Sequence, residues 1–120
     1  MKKILIIEDE EVLLELLQKK LIQEGYDVEI AKDGEVGLKK VKLDKPDLIL
    51  LDIVMPKVGG FEVMEELSAD EELSKIPIII ISNSGQPVEL ERAKKLGVKD
   101  CLIKTDFDIQ EVVDKVKNYL

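Results

Sequence analysis

The chain has 120 residues, enough for one compact domain, and 45% of them are apolar, so a single core needs neither a metal nor a disulfide. A formal charge of −8 sets the surface against nucleic acid and anionic membranes, which bind proteins mainly through Lys and Arg. Histidine is absent, which removes a His base, a His metal ligand and a phosphohistidine carrier, and the lone Cys101 excludes an internal disulfide.

Met1-Lys2-Lys3 opens directly into Ile4-Leu5-Ile6-Ile7, too short an apolar run for a signal-peptide core or a membrane span. Together with the single thiol, this sets the expectation of a soluble cytoplasmic protein. The starting Met and a helix running to the end at Leu120 set the expectation of a complete unit.

The first strand ends in Glu8-Asp9-Glu10. Glu11 to Glu24 then carries Val12, Leu13, Leu16, Leu17 and Leu21 as a helical apolar stripe, stopped by Gly25. Val28 and Ile30 predict a short second strand. Asp33-Gly34 turns the chain into a second helix through Leu43, which Lys45-Pro46-Asp47 closes. A third strand, Leu48-Ile49-Leu50-Leu51, delivers Asp52 to its rim ahead of Ile53-Val54-Met55-Pro56. A short helix follows from Gly60, with Phe61, Val63, Met64 and Leu67 as its apolar positions.

Pro77 introduces a fourth strand, Ile78-Ile79-Ile80-Ile81, which ends in Ser82-Asn83-Ser84. A fourth helix is expected from Val88 to Leu96, before Gly97. Its charges, Glu89, Glu91, Arg92, Lys94 and Lys95, are expected on a solvated face, in keeping with a monomer or weak dimer. Cys101-Leu102-Ile103 makes a fifth strand ending at Lys104, and a last helix from Ile109 to Tyr119 buries Val112, Val113 and Val116.

Continuous apolar runs alternating with segments of helical period are the pattern of a parallel sheet covered on both faces. The reading is therefore a doubly wound α/β fold with five strands and five helices, (βα)5, in one domain over residues 1–120. In such sheets the site lies beyond the carboxyl ends of the strands, where the direction of winding reverses. Placing the first strand beside the third gathers Glu8, Asp9 and Asp52. Two full charges about 5 Å apart repel by roughly 3 kcal/mol at an effective dielectric near 20, so a cation is required. An all-oxygen, half-open site that keeps several waters suits Mg²⁺ better than a caged Ca²⁺.

Each residue has a plainer reading by itself. Asp52 alone could cap a turn, and Glu8-Asp9-Glu10 could favour the positive end of a helix dipole. Ser82 could be a loop hydroxyl, Lys104 a snorkelling surface side chain and Cys101 a small buried apolar group. Glu10 reads as a dipole or supporting residue. The ordered combination on successive strand ends is what carries the functional reading.

That combination resembles the receiver domains of two-component response regulators over essentially the whole chain. The residues are Glu8-Asp9 after the first strand, Asp52 with Met55-Pro56 and Gly60 after the third, Ser82 after the fourth and Lys104 after the fifth. The resemblance implies flavodoxin-like strand order 2-1-3-4-5 and a phosphorylation-operated switch in a two-component system or phosphorelay. Asp52 would accept a phosphoryl group from the phosphohistidine of a sensor histidine kinase or phosphotransfer protein. Mg²⁺ would be held by Asp9, Asp52 and the backbone carbonyl of Val54, with Glu8 acting through water. Lys104 and Ser82 would bind phosphoryl oxygens, and the surface of the fourth helix, fifth strand and fifth helix would engage a downstream protein. Such a chain is not an enzyme toward other substrates, since it promotes only its own phosphorylation and dephosphorylation.

Departures from the family pattern fall mostly on the output side. Cys101 replaces the usual Tyr or Phe, so a ring-rotation switch cannot operate, and Thr105 replaces the usual Pro, so a trans peptide is expected there. Gly59 stands where Asp is common and Asn83 where a small Ala is common. Val54 and Ser84 occupy positions that tune water access to the phosphoryl group, and apolar Val54 implies slow self-dephosphorylation. A phosphorylation-independent scaffold on the same fold is the alternative. A haloacid-type phosphatase lacks its second Asp here, and a flavodoxin-like carrier would find flavin phosphate repelled by Glu8-Asp9-Glu10.

Overall fold

The computed structural model describes residues 1–55, 58–82, 87–104 and 108–120, with the side chains of 87–89 left undescribed. Expectations placed on Pro56, Asn83, Ser84 and Thr105, and on the side chains of Val88 and Glu89, lie outside the described residues.

Five parallel strands alternate with helices: β1 (Lys3–Ile7), α1 (Glu11–Gln23), β2 (Asp27–Ala31), α2 (Gly34–Asp44), β3 (Leu48–Asp52) and α3 (Gly60–Ser68) come first. They are followed by β4 (Ile78–Ser82), α4 (Pro87–Lys95), β5 (Asp100–Ile103) and α5 (Ile109–Tyr119). The sheet order is β2-β1-β3-β4-β5, as the resemblance implied. Winding therefore reverses between β1 and β3, whose register pairs Ile7 with Leu51.

Period-two alternation explains why β1, β3 and β4 are apolar at successive positions. Leu5, Ile7, Ile49, Leu51, Ile78 and Ile80 face α2, α3 and α4 in one core. Ile4, Ile6, Leu48, Leu50, Ile79 and Ile81 face α1 and α5 in the other. Each fully buried aliphatic side chain contributes roughly 1.5 to 3 kcal/mol, and strands and helices both supply them to the two cores.

The helices end where local chemistry dictates. Asp33 caps α2, its Oδ1 accepting from the Val36 amide at 2.8 Å, and Asp108 caps α5 in the same way through the Glu111 amide at 2.9 Å. Gly25, with φ +96°, supplies the left-handed residue after α1. A 3-10 turn at Leu73–Lys75, unanticipated from periodicity, buries Leu73 beside α3.

The apolar stripe of α1 differs from the expected one. Leu14, Leu17 and Leu21 are buried, whereas Val12 and Leu16 are 70% and 50% exposed. Positions 14, 17 and 21 follow a single helical stripe, and positions 12 and 16 stand four apart on another side. Helix α4 begins at Pro87 rather than Val88, and Gly97 still follows its end.

Candidate functional site

The backbone at the carboxyl edge of the sheet fixes the acidic side chains before any ligand is considered. Glu8 is still held in the sheet, its amide donating to the Ala31 carbonyl at 3.0 Å. Asp52 is the last residue of β3, in register with Ile81 of β4. Both are almost fully buried, Glu8 at 0% and Asp52 at 2% exposure. Asp9 is exposed, and one carboxylate oxygen from each of Glu8, Asp9 and Asp52 falls within 4.8 Å of the others. The sequence reading placed these three together, and the fold brings them together.

Lys104 reaches into this cluster from the end of β5. Its Nζ lies 2.9 Å from Glu8 Oε1, 3.4 Å from Asp52 Oδ2 and 3.4 Å from Glu10 Oε2. With only 10% of its side chain exposed, it is no snorkelling surface lysine. The Glu8 contact is an ion pair off the angle of a hydrogen bond, so Oε1 is buried with charge compensation and no hydrogen bond. Glu8 Oε2 accepts from the Glu10 amide at 3.1 Å. Glu10 thus supports the site twice, through its main chain and its carboxylate; its adjacency to Glu8-Asp9 was the sequence signal, but its reach to Lys104 needed the fold.

Burial pushes the Asp52 carboxyl up to about 7, with the neighbouring Glu8 carboxylate and then Asp9 adding to the shift and Lys104 opposing it. Burial alone would lower the Lys104 ammonium, but Glu8, Asp52 and Glu10 outweigh it and hold the group above its ordinary value. Three carboxylates therefore share one ammonium, leaving an excess of negative charge. The all-oxygen donor set and the buried Glu8 oxygen without a hydrogen bond fit a hard divalent cation.

Ser82 closes β4 and is buried at 4% exposure. Its carbonyl accepts from the Lys104 amide at 2.7 Å, which joins the ends of β4 and β5 at the site. Gly60 starts α3 directly beneath Asp52: a Cβ there would stand 2.5 Å from the Asp52 carbonyl oxygen and 2.6 Å from Ile53 Cα. Only glycine lets this helix start so close to the strand end. Val54, two residues beyond Asp52, is 71% exposed.

Cys101 departs from its expected place as a buried apolar group. It is half-buried beside α4, with Ile80 as its register partner on β4.

Residues 4–117 match the sequence model of the response regulator receiver domain. The chain belongs to this family. It is 40% identical over 119 residues to the alkaline phosphatase synthesis transcriptional regulatory protein PhoP of Bacillus subtilis, covering 99% of this chain and 48% of that protein. The chain spans about half the length of the first curated relatives it matches. In structure it superposes on the Vibrio cholerae chemotaxis protein CheY4 with a TM-score of 0.93 at 26% identity, covering 100% of this chain and 99% of that one. The response regulator protein TrrA of Thermotoga maritima, solved in complex with Mg²⁺-BeF, matches with a TM-score of 0.87 at 32% identity over the whole of both chains. The receiver fold and its role as a phosphorylation-operated signalling switch follow for this chain, and its acidic cluster occupies the reversal point of the winding.

Proposed function

We propose that Asp52 is the phosphoacceptor, with Lys104 and Ser82 as its phosphoryl-binding partners. The observation that carries this reading is a buried carboxylate at a strand end, 3.4 Å from an ammonium and within reach of two further acids. One carboxylate oxygen of Asp52 forms the new bond to phosphorus as the phosphorus–nitrogen bond of a donor phosphohistidine breaks, and the imidazole leaves with that electron pair. Lys104 stabilises a phosphoryl oxygen by charge and Ser82 donates a hydrogen bond to another. The chemistry is confined to the domain's own phosphorylation and its reversal.

Asp9, Asp52 and the carbonyl of Val54 would hold Mg²⁺, with Glu8 acting through water. When bound, the ion supplies charge neutralisation at the phosphoryl oxygens and relieves the repulsion among the acids. The Mg²⁺-BeF complex of the related TrrA supports this choice of metal.

The partners in this reading are a histidine kinase or phosphotransfer protein upstream, and a protein target on the α4, β5 and α5 surface downstream. The location in this reading is the cytoplasm, as the receiver family suggests; no helix among the described residues is long and apolar enough to cross a membrane.

Intact-mass measurement after incubation with Mg²⁺ and acetyl phosphate or phosphoramidate tests the proposal, with Asp52→Asn alongside. Gain of one phosphoryl group, lost in the variant and without Mg²⁺, is the expected result. No gain, together with no Mg²⁺ binding, would replace it with a phosphorylation-independent interaction scaffold.

A further inference from the structure

Protein interiors are close-packed, so a cavity beneath a helix calls for a cause. Between α4 and the β4–β5 edge lies a partly open cavity of about 150 Å³. Its walls are Ile80, Leu90, Ala93, Val98 and Cys101. Ile80 and Cys101 are register partners, and Ala93 of α4 is buried in the same core. Two small side chains, Cys101 on the sheet and Ala93 on the helix, thus line a space that larger ones would fill.

The volume matches a benzene-sized guest, and the inner walls are aliphatic. The rim adds charge to that size. Lys94 and Lys99 line the cavity and make no ion pair among the described residues. Asp100 also lines it, but its carboxylate is engaged by Lys115 Nζ at 2.9 Å and by the Tyr119 hydroxyl at 3.4 Å. Among the described residues, the rim therefore presents two lysines without an ion-pair partner over an apolar hole.

We propose that this cavity binds a small monocyclic aromatic carboxylate, with the ring among Ile80, Leu90, Ala93, Val98 and Cys101 and the carboxylate at Lys94 and Lys99. Occupancy braces α4 against the sheet. Binding here does not depend on Asp52, so the site stands or falls apart from the phosphoryl chemistry.

The test is ¹H–¹⁵N NMR titration of the whole chain with benzoate, with benzyl alcohol as the uncharged ring and acetate as the charge without a ring. Saturable shifts centred on Ile80, Ala93, Val98 and Cys101 are expected with benzoate, at roughly millimolar affinity or tighter. Benzyl alcohol should bind several-fold more weakly, and acetate should leave these signals unmoved. Combined Lys94→Glu and Lys99→Glu should reduce benzoate to the level of benzyl alcohol. Cys101→Phe should abolish both, and Ala93→Leu provides a second filling variant, each checked for fold by a dispersed ¹H–¹⁵N spectrum and a cooperative urea transition. Shifts centred elsewhere, undiminished binding in folded filled variants, acetate acting as strongly as benzoate, or no saturable response would each overturn the proposal.

Discussion

Gly60 and Asp52 meet backbone to backbone, so closely that a Cβ on Gly60 would fall 2.5 Å from the Asp52 carbonyl oxygen. Neither side of that contact can yield easily, because both belong to regular elements. Gly60→Ala is expected to destabilise the protein by roughly 2 to 3 kcal/mol and to slow phosphoryl gain at Asp52. The neighbouring Gly59→Ala is the control: its Cβ would meet only the Ile53 carbonyl at 3.5 Å, an ordinary contact. Urea unfolding of the two variants should separate them clearly.

The raised Asp52 carboxyl makes metal-free stability pH-dependent in a defined direction. The folded protein keeps a proton on Asp52 up to about pH 7, whereas the unfolded chain releases it near pH 4. This carboxyl's contribution is therefore full below the unfolded value and is lost as pH rises through 7. Asp52→Asn should flatten that decline and stabilise the metal-free protein at pH 8 by about 1 to 3 kcal/mol. Denaturation midpoints across pH 5 to 9, with and without Mg²⁺, provide the check; a decline equally steep in the variant would assign it to other groups.

Lys104 is the counter-charge of a fully buried Glu8. Lys104→Met should cost about 3 kcal/mol or more in the metal-free protein by leaving that carboxylate without compensation, and part of the loss should return on adding Mg²⁺. It should also slow phosphorylation by small-molecule donors, read by intact mass against time. An unchanged denaturation midpoint would show that Glu8 is compensated some other way.

Helix α1 offers a direct comparison of two aliphatic truncations. Leu14 is buried at 1% exposure and Val12 is 70% exposed. Leu14→Ala should cost about 2 to 5 kcal/mol, and Val12→Ala should stay within about 0.5 kcal/mol of the parent. Thermal or urea unfolding decides, and equal losses would place Val12 in an interface that the fold alone does not reveal.

Val54 presents an apolar, exposed side chain two residues beyond Asp52, with no group to orient an attacking water. A phosphoryl half-life of minutes or longer is expected, and Val54→Asn should shorten it. Loss within seconds in the parent protein would sink this expectation.

Strand ends were legible in the sequence because four apolar runs stop abruptly at polar residues, and a buried parallel sheet leaves no other place for those residues than its rim. Glu8, Asp9, Asp52, Ser82 and Lys104 accordingly fall where their strands end. Helix faces were less legible. Two apolar residues in α1, Val12 and Leu16, look out to solvent, and periodicity could not rank them against Leu14 because leucines and valines crowd every turn of that helix. The strand ends also put the Lys104 ammonium in one crevice with the acids, but did not say which acid it would pair with most closely. The closest pair joins residues 8 and 104, and only the sheet's strand order brings them within range of each other. The cavity was hidden, since it depends on Ala93 and Cys101 both being small in two elements that sequence spacing does not relate.

The main-chain bond from the Lys104 amide to the Ser82 carbonyl has a mechanical consequence. The hydroxyl-bearing and the ammonium-bearing residue are yoked through their peptide groups, so an anion that draws one strand end inward carries the other with it. If Asp52 takes the phosphoryl group as proposed, a pull on either residue would be felt by both strand ends through this bond.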